Sequence, residues 1–488
     1  MNENLLHLQK KINHLDCEYA DFRYVELERV KIRTHKGILD ESKETQSAGI
    51  GFRVLKEGAF GFSSTWDLSE ASLLKHLNLA YEMALRFSKI RHTEVKLIPV
   101  KPIKDCWQTP IKKNPWDITL KEKIEPLLNA EKKLISHSGM DSTSGCLDFT
   151  RKKVIFISSE GSWIEQLHYR TGGWICAETF ISNKKSSYGP EKIKRSWPGP
   201  SGLFRAQGYE AIEAFRFNEQ VDRLASELNE LKKTPEASAG TFDLILKGSI
   251  LALQLHETFG HASESDRLYG YEDNFGGRTL LNPGLLEGFP VASPHVTVVS
   301  NAGLRLGPGA GSFAYDDEGI PAQSVEIVKQ GVLKNYLTSR ETAFFLSQDQ
   351  SSANMIAEDW SHYPLIRMSN LSLLPGHGSL DEIIRDTKEG ILIDNELSWS
   401  IDEMRLDFQI GGEMGYHIQN GKIKGLVRLP IYYGNTLDFW RSCDWVSGKK
   451  DWDFWGFSDC GKGGPYQEAF TGHGVGAARF RNIEFRKV

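Results

Sequence analysis

Cysteine is scarce in this chain: six in 488 residues, at positions 17, 106, 146, 176, 443 and 460. They are far apart and show none of the close spacing of a small disulfide scaffold, so a reduced compartment is expected. Long apolar runs are absent as well. No stretch approaches the roughly 20 residues needed to cross a bilayer, which argues against a membrane protein. The N-terminus lacks a basic segment followed by an apolar core, so no signal peptide is expected and the cytoplasm is the default. Neither charge sign dominates: 59 Lys and Arg stand against 64 Asp and Glu, for a net charge of -5. No basic stripe points to nucleic acid and no acidic tail to disorder. The glycine-rich stretch 301–312 lacks the Lys-Ser/Thr ending of a phosphate loop, which argues against nucleotide binding. There is no clear short-period repeat.

What remains is an ordinary soluble composition, 40% hydrophobic and 25% charged, with length for two or three domains. The first 65 or so residues read as strands, with a turn at Lys56-Glu57-Gly58. The periodicity at Leu73, Leu77, Tyr81, Ala84 and Leu85 predicts a helix over 68–89. Residues 105–114 read as a connector, 120–136 as a helix, and 144–149, 153–158 and 163–169 as strands. The polar, Pro- and Gly-bearing stretch 186–208 reads as an exposed loop, and 209–231 as one helix. Lys232 to Gly240 is the best boundary in the sequence. It divides an N-terminal α+β domain, 1–235, from a β-rich C-terminal domain, 236–488. In the second half, Gln330-Gly331 joins one strand pair. Asn420-Gly421, the strongest short hairpin signal, joins another. Because single helices rarely separate the strands, the expected fold class is α+β, with antiparallel sheets rather than a parallel βαβ winding.

The chemistry concentrates after residue 240. Residues 241–246 read as an apolar strand, and Ser249 is expected to N-cap a helix that carries His256-Glu257-Thr258-Phe259-Gly260-His261. This is His-Glu-x-x-x-His, one residue longer than the usual zinc-peptidase motif. Neutral imidazoles are good zinc ligands, and an adjacent Glu can accept a proton from water that the metal acidifies. Two residues five apart on a regular helix lie about 140° apart. A shared metal therefore requires a distortion, which a π-type turn at Gly260 would supply. The competing reading is a helix end with two hydrogen-bonded histidines. A third ligand has four candidates: Cys460, His473, Asp316 and Asp317. A thiolate from Cys460 would leave a fourth position for water. Asp316 and Asp317 also read as a tight acidic turn before a hairpin. His473, between glycines, could orient substrate or stabilise an oxyanion. The tract 438–457 holds Phe439, Trp440, Trp445, Trp452, Phe454, Trp455 and Phe457, either a ligand platform or core.

Four segments occur in order: Leu255 to His261, Asp316-Asp317-Glu318-Gly319, Arg367-Met368-Ser369-Asn370, and Cys460-Gly461-Lys462. Together with the strands over 49–62 they resemble the TldD/TldE (PmbA) family, and specifically its TldD side. The resemblance spans nearly the whole chain; residues 184–208 and 439–457 depart from it. It implies a metallopeptidase subunit with one divalent ion per chain, zinc or else iron. The metal would sit on His256, His261 and Cys460, with Glu257 as base; Asp316, Asp317 and His473 stay open as substrate or outer contacts on the reading of their own residues. It also implies an enclosed site within a homodimer, or a heterodimer with a TldE/PmbA-like subunit, acting on unfolded polypeptides or peptides. Two other functions are compatible with the motif: a non-catalytic partner subunit, and a metal-dependent hydrolase of a glycan or small amide.

Overall fold

The computed structural model describes residues 2–186 and 189–486. The chain forms an α+β fold built on two large sheets. The first has eight strands. Tyr19–His35, Ile38–Lys56 and Ser142–Ser158 form its centre, and Trp163–Ser186 carries Gly189–Trp197 and Leu203–Arg205. Its pairs are antiparallel except for Lys104–Gln108, which runs parallel to Trp163–Ser186. The second has nine strands, antiparallel except where Gly240–Lys247 pairs in parallel with Glu389–Ile393. Among the described residues no helix is long and apolar enough to cross a membrane.

Alternation along the central strands assigns the faces of the first sheet. Ala20, Phe22 and Tyr24 point to one side with Ile155 and Ile157. There they form a core with Leu5, Leu8 and Ile12 of the helix Asn2–Asn13, and with Leu73 and Leu77 of Glu70–Ser88. Farther along the sheet, Leu127 and Leu134 of Leu120–Ser136 and Val221, Leu224 and Leu228 of Phe217–Leu231 close a second core. The opposite face carries Asp21, Arg23, Lys152, Gln166 and His168, all buried. It is covered by the second half of the chain. Guanidinium groups stitch that contact, Arg23 to Asp317 at 3.3 Å and Arg53 to Glu318 at 3.4 Å; on the helix-covered face Arg195 reaches Glu413 at 3.0 Å. Removing one partner from such a buried pair strands a charge, at a cost of about 3–5 kcal/mol.

Several local expectations are corrected. Residues 2–13 are helical, because their apolar positions Leu5, Leu8 and Ile12 repeat at helical spacing. The connector at 105–114 contains an added strand, and the loop at 186–208 contains two; each finds backbone partners on the long Trp163–Ser186 strand. The helix over 209–231 is broken at Arg216, whose φ of 47° lies in the left-handed region. The hairpin at Asn420-Gly421 forms, with φ values of 49° and 73°.

Candidate metal centre

The strand Gly240–Lys247 runs at the heart of the second sheet and turns at once into the helix Gly248–Leu255. The helix caps at Lys247, not Ser249. Ser249 lies inside it and donates its hydroxyl to Glu396. Every residue of this helix is buried, so its register against the sheet is fixed by packing. At His256 the α-helix gives way to a π-turn over His256–Gly260, followed by a tighter turn at His261–Ser263. The wider turn reconciles the five-residue spacing with a shared centre. Gly260 keeps ordinary right-handed angles (φ -61°, ψ -69°). Its role is space: a Cβ there would come within 1.9 Å of Met368 Sδ. The aromatic tract props the same turn. Trp440 Nε1 donates to Thr258 Oγ1 at 2.8 Å and its ring packs 4.8 Å from Phe259. Trp440 is fully buried, and this part of the tract is core.

The two imidazoles stand edge to face with ring centres 4.8 Å apart. Cys460, from the strand Asp453–Lys462, closes the group, and one ligand atom from each of His256, His261 and Cys460 lies within 4.8 Å of the others. His261 Nε2 and Cys460 Sγ are 3.7 Å apart, near the edge of about 3.5 Å of a tetrahedron with zinc bonds of about 2.0–2.3 Å.

Outer contacts orient both rings. His473 places Nδ1 3.0 Å from the Leu371 carbonyl and Nε2 2.8 Å from His256 Nδ1. A carbonyl only accepts, so His473 Nδ1 donates and its Nε2 accepts the His256 Nδ1 proton. This network assigns the lone pair of His256 to Nε2. His261 Nδ1 donates to Glu264 Oε2 at 3.0 Å, which leaves its Nε2 toward Cys460. Glu264 also accepts from Arg267 at 2.9 Å and faces Lys462 Nζ at 3.2 Å. Burial alone would raise its carboxyl, but Lys462, His261 and Arg267 hold it well below the usual range. Such carboxylate–histidine contacts fix tautomer and ring direction at metal sites.

Burial lowers the pKa of His256 and His261 against the pull of nearby carboxylates, which favours neutral rings. His473 is pushed well below its ordinary value by burial and then by His256. Burial would raise the Cys460 thiol, but the Arg367 guanidinium and His261 outweigh it and hold it below the ordinary thiol value. Arg367 also donates to the Cys460 carbonyl. Two neutral imidazoles and a thiol biased toward thiolate make a donor set that suits zinc.

Glu257 follows His256 into a cleft of about 230 Å³ lined also by Leu253, Glu396, Trp399, Phe457 and Asp459. Its Oε2 accepts from Arg405 Nη1 at 3.0 Å. Asp316 and Asp317 lie elsewhere. Asp316 accepts backbone N–H groups from Glu318, Ile320 and Met355, and burial together with Glu318 pushes its carboxyl well up. Asp317 accepts from Ala357 N–H and Arg23. Both hold the junction between the sheet and the second half of the chain. Sequence reasoning missed Glu264, Arg405, Glu396 and Trp399. Glu264 had a local signal, three residues after His261. Arg405 had none, since 148 residues separate it from Glu257.

Known proteins share this architecture. Residues 239–487 match the PmbA/TldA metallopeptidase C-terminal domain family and residues 20–84 match PmbA/TldA metallopeptidase domain 1. A metalloprotease of Methanocaldococcus jannaschii is 31% identical, over 97% of this chain and 99% of its own. A zinc metalloprotease TldD homolog of Saccharolobus solfataricus is 28% identical over 50% of this chain and 52% of its own. Among solved structures, a putative modulator of a DNA gyrase from Thermotoga maritima superposes with a TM-score of 0.75 at 18% identity, covering 99% of both chains. TldE from Thermococcus kodakarensis superposes at 0.70 and 14%, covering 100% of both.

Proposed function

Since this chain belongs to the TldD/TldE (PmbA) metallopeptidase family, we propose that it hydrolyses peptide bonds in unfolded polypeptides or short peptides, with His256, His261 and Cys460 holding one zinc ion and Glu257 serving as base. The observation that carries this reading is the convergence of two braced imidazoles and a thiol beside a carboxylate that opens into the same cleft. The bound metal supplies Lewis acidity, polarising a carbonyl and acidifying water. The protein's groups do the rest. His473 and Glu264 keep the lone pairs of the two rings directed inward. Glu257 Oε1 is the carboxylate oxygen not bonded to Arg405, and it is the atom assigned to take the proton of the attacking water. Arg405 fixes the other oxygen and so the direction of the carboxylate.

Strand addition favours an extended substrate. Glu396–Ile401 is an edge strand of the nine-stranded sheet, and its Glu396 and Trp399 line the cleft. A peptide can pair with such an edge through backbone bonds that read little side-chain sequence. A folded domain cannot do so without unfolding, at roughly 5–15 kcal/mol. The division into 1–235 and 236–488 belongs to this reading, as does enclosure by a second subunit, either a copy of this chain or a TldE/PmbA-like partner. The test offers zinc-loaded protein one small domain in native form and in a destabilised variant. Cleavage of the destabilised form alone is expected. Equal rates on both would overturn enclosure, and cleavage of neither would favour a non-catalytic subunit or a hydrolase of glycans or small amides.

A further inference from the structure

A second cavity, of about 90 Å³, lies between the polar face of the first sheet and the second half of the chain. Its floor is set by strand register. Thr150 stands opposite Arg170 and Lys152 opposite His168, so four nitrogen- or hydroxyl-bearing side chains occupy adjoining sites on one face. Its roof comes from the Tyr315–Asp317 turn, Ile356–Glu358 and Phe470.

The basic groups here are poorly answered. Lys152 Nζ donates to the Ala357 carbonyl at 2.7 Å, and Arg170 Nε to the Ala310 carbonyl at 2.8 Å. Carbonyls offset a cation only in part. Asp317 is the acid that acts on both, and it already pairs with Arg23. Neighbouring Arg29 is different: it is bidentate to Asp148. Lys152 is lowered to about 8 and Arg170 to about 10, in each case chiefly by burial. Thr150 Oγ1, on a residue 4% exposed, lacks any partner, while His168 bonds the Ser312 backbone and is held neutral by burial and then by Arg170 and Lys152. Glu358 and Glu468 also line the cavity. Glu358 accepts the Glu468 N–H at 2.7 Å, and burial and then Glu358 raise the Glu468 carboxyl. Like charges on neighbouring strands and an orphaned buried hydroxyl each cost stability unless something completes them.

We propose that this cavity is a binding site for a compact oxyanion, the carboxylate or phosphate end of a small molecule, held by Arg170, Lys152 and Thr150. The guanidinium and ammonium supply charge, while the Thr150 hydroxyl supplies direction. The volume admits one such group and little more. The site lies across the Asp453–Lys462 strand from the metal centre: Ser458 lines this cavity, whereas Phe457, Asp459 and Cys460 line the other. It is therefore distinct from the cleft assigned to hydrolysis, and the proposal stands apart from that assignment.

Calorimetric titration of the zinc-loaded full chain with inorganic phosphate, and separately with acetate, tests it. One saturable site per chain is expected, and the tighter of the two probes identifies the headgroup. Arg170→Gln should weaken binding by about tenfold or more, the scale of a lost charged hydrogen bond. Thr150→Val, close in shape and neutral, should weaken it severalfold, and it carries the test alone if Arg170→Gln does not fold. Cys460→Ala, which dismantles the other site, should leave it unchanged. Absence of saturation by either probe up to about 10 mM would overturn the proposal. So would equal binding by wild type and Thr150→Val, or loss of binding in Cys460→Ala.

Discussion

Two buried polar clusters differ in how their atoms are satisfied. The outward-facing polar atoms of His256, His261 and Cys460 themselves are engaged: His473 takes one ring proton, Glu264 the other, and Arg367 holds the Cys460 carbonyl, while one layer out Glu264 Oε1 and Arg367 Nε have no partner. The atoms left over point at one another, as ligands must. Around Lys152 and Arg170 the contacts are to main-chain carbonyls and, for Arg170, the Phe470 ring 5.1 Å away, while Thr150 Oγ1 has no partner. The first cluster is braced to direct lone pairs inward; the second presents donors. A set of inward lone pairs suits a cation, and a set of donors suits an anion.

The sharpest break between them is chemical. Glu257→Gln keeps the shape of the carboxylate and removes its basicity, so peptide hydrolysis should fall by about 10²–10⁴-fold while elemental analysis still finds one metal per chain. Near wild-type turnover would remove Glu257 from the role of base. A smaller effect is expected from His473→Ala. It frees His256 Nδ1 from its acceptor, and zinc affinity in a competition titration should drop by about 10–100-fold. Unchanged affinity would mean that the His256 ring is held by packing against Phe457 instead, whose ring centre is 5.7 Å away.

Gly260→Ala probes the turn between the histidines. Its Cβ would collide with Met368 Sδ, and chemical denaturation should show a loss of about 1–3 kcal/mol. A loss of a few tenths would show that Met368 swings aside.

The smallest effect concerns pH at the second cluster. Lys152 is lowered to about 8 from an ordinary 10.5, and Asp317, Arg170, Arg23 and Asp359 are the charges that act on it. Between those values the unfolded chain binds the extra proton, so stability rises with pH there and is flat below about 8. The rise should be at most about 1.4 kcal/mol per pH unit, and Lys152→Met should abolish it. An equal slope in both proteins would place the charge of Lys152 in a better-compensated environment.

Much of the metal centre could be read along the chain because its densest part is local. His256, Glu257 and His261 lie within one turn and a half, and their spacing already required a departure from the α-helix. The structure supplies that departure as a π-turn. Cys460 was one of four open candidates until the resemblance singled it out, since nothing in its own neighbourhood ties it to a helix 199 residues away. Helices with a clear apolar stripe, such as Glu70–Ser88 and Leu120–Ser136, were also legible. The added strands Lys104–Gln108 and Gly189–Trp197 were not. Their residues have little intrinsic strand preference, and the long neighbouring strand that accepts their backbone bonds is a tertiary fact.

The sequence by itself determined the periodicities, and with them the α+β class, the core-facing side of each central strand and the chemical identity of the motif. Tertiary structure alone decided what covers the other side. Alternation marks Arg23, Lys152, His168 and Arg170 as the polar face of their strands, which in an antiparallel sheet is ordinarily the solvent face. Here Arg23, Lys152 and His168 are 0%, 9% and 5% exposed, because the second half of the chain packs on them. Hydrophobic period reports which residues avoid water, but not which charges find partners remote in sequence. That pairing depends on where Asp317, Ala310 and Ala357 come to rest, a long-range outcome with no local signature.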